Sequence, residues 1–378
     1  MNNKIGRNEK CYCFSGKKYK KCCLMKKESI SHMALQMLAK KELKDNKLKE
    51  VGIYVNYVNP IIFKDKKIWA IKNRIYQRDN KHETFSDFCI FILLEKLGPE
   101  WLNEIKYKKE ELNFLEKAFT EVIKLKGSAI FNGVKVREGV YSTNPNGYIK
   151  SIYSLAFDIF TLDHVSNIPD KLIQRLKNTN EYQGVRYEIM IAAVIARLGF
   201  NITWIDNSTA KHCEFIAEHQ VSGTKIGVEA KSRHRKGVLN QLGILDMYKS
   251  KKGDIQGLLT SALEKEECGL MPYIIFIDIN SPLENKSRME DVPWVKDIIK
   301  NAKRKNKIIS VNNKSDYNFI FFTNHSYHYD QEKNAGGNEI LSQAPQFVKF
   351  VLPDDSLHEG IQNALKWYGN IPDIDLNI

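Results

Sequence analysis

Two groups of residues in this sequence have types and spacings that do chemistry. The first is Cys11, Cys13, Cys22 and Cys23, a C-x-C-x₈-C-C pattern. Zn²⁺ takes four thiolates in a tetrahedron, and two close pairs on two tight turns can close such a site. Between the pairs lies Ser15-Gly16, a turn dipeptide that folds the chain back. So short a segment cannot bury a core, so the metal would supply most of its folding energy. Cys89, Cys213 and Cys268 are scattered. A disulfide framework needs an oxidising compartment and more evenly spread cysteines, so metal binding is the better reading.

The second group lies between Lys211 and Ser232. Cys213–Gln220 and Lys225–Lys231 both read as strands, with Ser222-Gly223 as the hairpin tip. That tip pairs Val221 with Thr224, Ile216 with Glu229, and Glu214 with Lys231. Opposed residues share a face and side chains alternate, so Glu214, Glu218, Glu229 and Lys231 project together, with Ile216 among them. Phe215, Ala217, Ile226, Val228 and Ala230 then point to a core. A slip of one residue would scatter the set. Carboxylates and a lysine on one sheet face can hold Mg²⁺ or Mn²⁺ through hard oxygen ligands and steady charge on a phosphate. Asp206 is the fallback ligand if the register differs. Arg233, His234, Arg235 and Lys236 follow, either to clamp phosphates or to solvate a loop. His212 and His219 read as structural histidines, not ligands.

Residues Gly6 to Cys23, Gly-Arg-Asn-Glu-Lys-Cys-Tyr-Cys-Phe-Ser-Gly-Lys-Lys-Tyr-Lys-Lys-Cys-Cys, resemble the SEC-C motif. Tyr12 and Phe14 flank Cys13 where the family often has Pro and Gly, and all four ligands stay in place. The resemblance implies structural zinc and a segment that docks a partner protein or nucleic acid. Glu229-Ala230-Lys231, an acid about fifteen positions upstream, and an earlier helix carrying Glu188 resemble in order the PD-(D/E)XK nuclease superfamily. That likeness spans roughly Glu181 to Thr323 and implies a mixed β-sheet flanked by helices. Carried over by position, Glu214 and Glu229 are its metal ligands, Lys231 its catalytic lysine and Glu188 its helix acid. Glu214 stands where the family usually has Asp.

The elements that must position these residues divide the chain in three: the zinc knuckle (1–27), a mainly helical region (28–180) and an α/β, nuclease-like domain (181–378). Apolar spacing predicts helices from Ser29 to Leu48, from Phe85 to about Leu125, over Ile149–Leu162 and over Pro169–Leu176, with turns at Gly127 and Gly133. Arg186–Leu198 is a helix stopped by Gly199. Ile202–Ile205, Cys213–Glu218, Lys225–Lys231, Tyr273–Ile277, Phe319–Phe322 and Phe347–Leu352 read as strands, Asp254 as a helix cap, and Gly360–Tyr368 as a last helix. Helices alternating with strands give an α/β fold.

The 378 residues carry 43% hydrophobic and 27% charged side chains, the balance of a globular chain. The N-terminal residues read as no signal peptide and no apolar run spans a membrane, so a cytoplasmic protein is expected. The net charge is +13, with 58 basic against 45 acidic residues, which attracts polyanions. The combined expectation is a Mg²⁺- or Mn²⁺-dependent endonuclease, with DNA favoured over RNA; the sequence leaves the oligomeric state open, and the nuclease resemblance implies a homodimer where both strands are cut. The rival is a non-catalytic zinc-binding adaptor on a nuclease-like scaffold. An active site within Ser29–Lys177 ranks last, because no nucleophile triad or phosphate loop appears there.

Overall fold

The computed structural model describes residues 6–11, 13, 15–108, 111–205, 211–239, 241–284, 286–305, 314–329, 337–352 and 356–372; Asp206 lies outside the described residues. The chain divides into two compact units, with the boundary between Glu50 and Val51.

In the first unit, a bridge between Lys10 and Lys18 closes the cysteine loop, and a 3₁₀ turn at Tyr19–Lys21 leads into helix α1 (Cys23–Glu50). The helix begins at the last zinc-type cysteine, so the expected boundary at residue 27 falls inside it. Gly16 has φ +73°, the left-handed turn expected of Ser15-Gly16.

The second unit begins with a three-stranded antiparallel sheet, β1 (Ile61–Phe63), β2 (Lys66–Ile71) and β3 (Arg74–Arg78). This sheet adds strands that the reading of a mainly helical region did not include. Lys67, Trp69 and Ile71 alternate inward on β2, but outward Ile68 and Ala70 are also apolar and blur the period-two signal. Helices α2 (Phe85–Leu97), α3 (Pro99–Tyr107) and α4 (Phe114–Asn132) follow. A reciprocal capping box between Thr84 and Asp87 starts α2. Gly127 is absorbed into α4 and does not turn the chain. The hairpin β4 (Val134–Arg137) and β5 (Val140–Ser142) then leads to α5 (Gly147–Val165) and α6 (Asp170–Lys177).

The remainder builds the main sheet: α7 (Tyr182–Arg197), β6 (Phe200–Trp204), β7 (Phe215–His219), β8 (Lys225–Ser232), α8 (Met247–Ser250), α9 (Gln256–Leu263), β9 (Tyr273–Asp278), α10 (Pro293–Lys305), β10 (Phe319–His325), β11 (Asn338–Gln343) and α11 (Ser356–Lys366). Its six strands run in the order β11-β10-β9-β8-β7-β6. β8, β9 and β10 are parallel, while β6 and β7 at one side and β11 at the other are antiparallel to their neighbours. This is a mixed α/β sheet flanked by helices. Trp294, Val295 and Ile298 of α10 pack with Tyr273, Ile275 and Ile277 of β9. α7 packs on β6 to β8 and also on α5, so the expected divide at residue 180 joins elements of one unit. Phe347–Leu352 forms no strand; Val348 makes only an isolated bridge to Ser315. β11, with mostly polar residues, went unanticipated.

Candidate active site and metal centre

The four cysteine sulfurs lie within 4.8 Å of one another. Cys13 Sγ is 3.4 Å from both Cys11 Sγ and Cys22 Sγ. That is too long for a disulfide. Zn–S bonds of about 2.3 Å give a tetrahedral edge of about 3.8 Å, so a small expansion admits the ion. Backbone bonds from Cys11 N to Lys17 O (2.9 Å) and from Tyr19 N to Glu9 O (2.8 Å) hold the two arms together. Hydrogen bonds from Ser15, side chain then backbone, followed by those from Cys22 and Cys11, lower the Cys13 thiol to about 6. A thiolate-prone sulfur is what a zinc ligand requires. Among the described residues, this is the one group of three or more His, Cys, Asp or Glu whose ligand atoms lie that close together.

The carboxylate–lysine group is assembled by the β7–β8 hairpin. Its register pairs Glu218 with Lys225, Ala217 with Ile226, Ile216 with Gly227 and Phe215 with Val228. His219 N donates to Thr224 O, so the loop spans four residues, Gln220 to Gly223, in place of the expected two. The register therefore differs from expectation by two residues: Ile216 faces Gly227, and Glu218 faces Lys225. A shift of two preserves the face, because side chains alternate with period two. Glu214, Glu229 and Lys231 consequently still project together.

Lys231 Nζ lies 3.1 Å from Glu214 Oε1 and 2.5 Å from Glu229 Oε1. Lys265, in the turn after α9, adds a second ammonium 3.5 Å from Glu229 Oε1 and donates to His212 O at 2.6 Å. Glu229 has no exposed surface, and neither of its oxygens has a hydrogen-bond partner among the described residues. The ammonium groups of Lys231 and Lys265 meet it as ion pairs at Oε1. Burial, opposed by the Lys231 charge, raises Glu229 to about 7. Burial and then the charge of Glu188 raise Glu214 as well. Burial works against the Lys231 ammonium, but Glu229 and Glu214 outweigh it and push it up to about 12.

Glu188 reaches the same neighbourhood from α7, held by a bidentate Arg175 at 2.6 and 2.8 Å. A Cβ at Gly184 would lie 3.2 Å from His234 Nε2 and 3.7 Å from Glu188 Oε1. The bare glycine thus lets His234 come up beside Glu188. The structure brings together Glu188, Glu214, Glu229 and Lys231, and adds Lys265, Arg175 and His234. Nothing in the local sequence marks Lys265 among the many lysines of the chain.

The basic residues after β8 divide. Arg235 differs from the expected phosphate clamp: it is 7% exposed and its guanidinium donates to the carbonyls of Asn280, Ser250, Ile279 and Lys249. Arg233 is turned to Lys252 O (2.6 Å) and Asp254. Lys236 is exposed. His212 pairs with Glu267 at 2.8 Å and His219 with Ser222 at 3.0 Å, so both serve local structure.

The family model of the SEC-C motif matches residues 7–24. These residues contain all four cysteines of the first site, so the SEC-C motif coincides with the cluster that could hold a metal ion. No curated protein and no solved structure matches the chain. Among the described residues, no helix is long and apolar enough to cross a membrane.

Proposed function

We propose that the protein is a metal-dependent nuclease of the PD-(D/E)XK kind that hydrolyses phosphodiester bonds, with DNA as the favoured substrate, carrying a zinc-bearing SEC-C motif as its docking segment. The observation that carries this reading is Glu229, a wholly buried carboxylate with neither oxygen hydrogen-bonded among the described residues, beside Glu214 and Lys231. Buried side-chain polar atoms normally have a hydrogen-bond partner, and one without calls for an explanation, of which a bound ion is one. Two carboxylates with free oxygen lone pairs suit Mg²⁺ or Mn²⁺, which take oxygen donors and keep several waters. The mixed sheet flanked by helices supports the reading at the level of architecture.

In this reading Glu214 and Glu229 hold the ion, which when bound lowers the pKa of a water and offsets phosphate charge. Lys231 is charged throughout the physiological range and is placed to steady the negative charge that grows on the phosphorus oxygens. Glu188 is held in place by Arg175, ready to complete the carboxylate set through a water. Lys265 offsets the charge of Glu229 in the metal-free protein.

A second reading has its own supporting observation: Lys231 already bridges the two carboxylates, as in a structural ion-pair cluster. In that case the protein is a non-catalytic adaptor and the SEC-C motif is its working part. The deciding experiment is cleavage of single- and double-stranded DNA and RNA with Mg²⁺ or Mn²⁺, comparing the native protein with Glu229→Ala and Lys231→Ala. Metal-dependent cutting lost in both variants upholds the nuclease. No cutting, together with no calorimetric Mn²⁺ binding that Glu229→Ala removes, leaves the adaptor.

A further inference from the structure

The chain leaves the carboxylate site directly into a loop that is apolar and basic at once. Leu242 is 84% exposed, Ile244 92%, Met247 52% and Tyr248 74%. Exposed single apolar residues are ordinary, but four within seven positions are not. Lys236, Lys249 and Lys252 are exposed along the same stretch, and Lys252 Nζ sits 4.5 Å over the Tyr248 ring.

The base of this loop is held firmly. Gln183 of α7, the helix that also carries Glu188, donates to Arg235 O and Val238 O and accepts from Arg235 N. The Arg235 guanidinium ties the far end through Lys249 O and Ser250 O to the strand-end carbonyls of Ile279 and Asn280. Gly237 N bonds Gln241 O, and Gly243, at φ +114°, packs against the Lys236 stem, where any Cβ would clash. A loop anchored at both ends by buried donors, yet presenting apolar tips to solvent, is built to present them.

We infer that Lys236 and residues 241–252 form the substrate-gripping loop of the site, whose apolar tips and Tyr248 ring stack on unpaired bases while the lysines track the phosphates. The inference rests on the nuclease reading, since that site supplies the nucleic acid. Duplex DNA offers an anionic rail with its bases stacked inside, which would engage the lysines and leave Leu242, Ile244 and Tyr248 idle. Unpaired bases expose π-faces that aromatic and apolar side chains cover, with cations beside them. A basic, apolar loop also suits an anionic membrane surface. Its firm attachment beside the carboxylates, with Gln183 and Glu188 on one helix, favours the nucleic acid.

The test is binding of a fluorescein-labelled single-stranded DNA, and of its duplex, to the full chain in EDTA across a salt series. The variant is Leu242→Ser/Ile244→Ser/Tyr248→Ser. The expected result is tighter binding of the single strand, a loss of about tenfold in the variant, and an unchanged slope of log Kd against log salt, because no charge is removed. Equal melting temperatures for native protein and variant exclude misfolding as the cause. Equal affinity of variant and native protein, duplex preference, no DNA binding at all, or capture by phosphatidylserine vesicles in place of DNA overturns the inference. Glu229→Gln separates the two readings: it abolishes cutting and leaves binding intact if the nuclease reading holds. Loop-dependent binding by a native protein that never cuts sinks the nuclease reading and spares the loop. Cutting by a native protein whose loop variant binds equally well does the reverse.

Discussion

A buried carboxylate awaiting a cation should weaken the metal-free fold, and Glu229→Gln measures by how much. The folded pKa of about 7 stands above the ordinary glutamate value of 4.5. Between those two pH values the folded state holds more protons than the unfolded state, so stability falls as pH rises through the window and levels off above it. A shift of about 2.5 units at about 1.36 kcal/mol each corresponds to about 3 kcal/mol at pH 8. Glutamine mimics the protonated acid, so Glu229→Gln should stabilise the metal-free protein by about 2–3 kcal/mol at pH 8 and by almost nothing at pH 4.5. With a urea slope of about 3 kcal/mol per molar, that moves the midpoint up by just under about 1 M. The assay is urea unfolding followed by tryptophan fluorescence at several pH values, with EDTA or with Mn²⁺. Mn²⁺ should raise the native midpoint and leave that of the variant unmoved. If Glu229→Gln destabilises the metal-free protein at pH 8, the carboxylate is a structural ion-pair partner of Lys231 and the reasoning fails.

Mn²⁺ affinity should fall about tenfold per pH unit below about pH 7, because the Glu229 proton must leave before the ion is bound; titration calorimetry across pH 5–8 reads the slope. Lys265→Met removes a cation 3.5 Å from Glu229 Oε1 and should tighten Mn²⁺ binding several-fold, whereas weaker binding would make Lys265 a support of the site. The native chain should carry one zinc that metal analysis detects, and Cys13→Ser should reduce the zinc content and collapse the amide dispersion of residues 7–24 with little change in the second unit. Arg197→Met strands Asp158, which is wholly buried between Arg197 (2.5 Å) and the Tyr368 hydroxyl (2.6 Å), and should cost about 3–5 kcal/mol in urea unfolding.

The zinc-type site was legible in the sequence because it is local. Its ligands lie within thirteen positions, and Gly16 supplies the left-handed turn between them. The shared face of Glu214, Glu229 and Lys231 was legible for a different reason. Strand alternation has period two, so even a hairpin loop misjudged by two residues returned the same side of the sheet. The central strands announced themselves as unbroken apolar runs, since they are buried on both faces. Period gave no such help to β2, apolar on both sides, or to polar β11.

Tertiary structure alone decided which charges meet. Lys265 reaches Glu229 because α9 returns the chain to β9 beside β8, and nothing in its local sequence separates it from the other lysines. Arg235 sits in a run of basic residues that reads as surface, yet it is buried, because four backbone carbonyls, two from α8 and two from the residues just after β9, converge where its guanidinium ends. Sequence by itself determined the types of ligand and the face from which they project, because both follow from local geometry. The burial of Glu229 and its pairing with Lys265 belong to the packed fold, because they depend on residues distant in the chain.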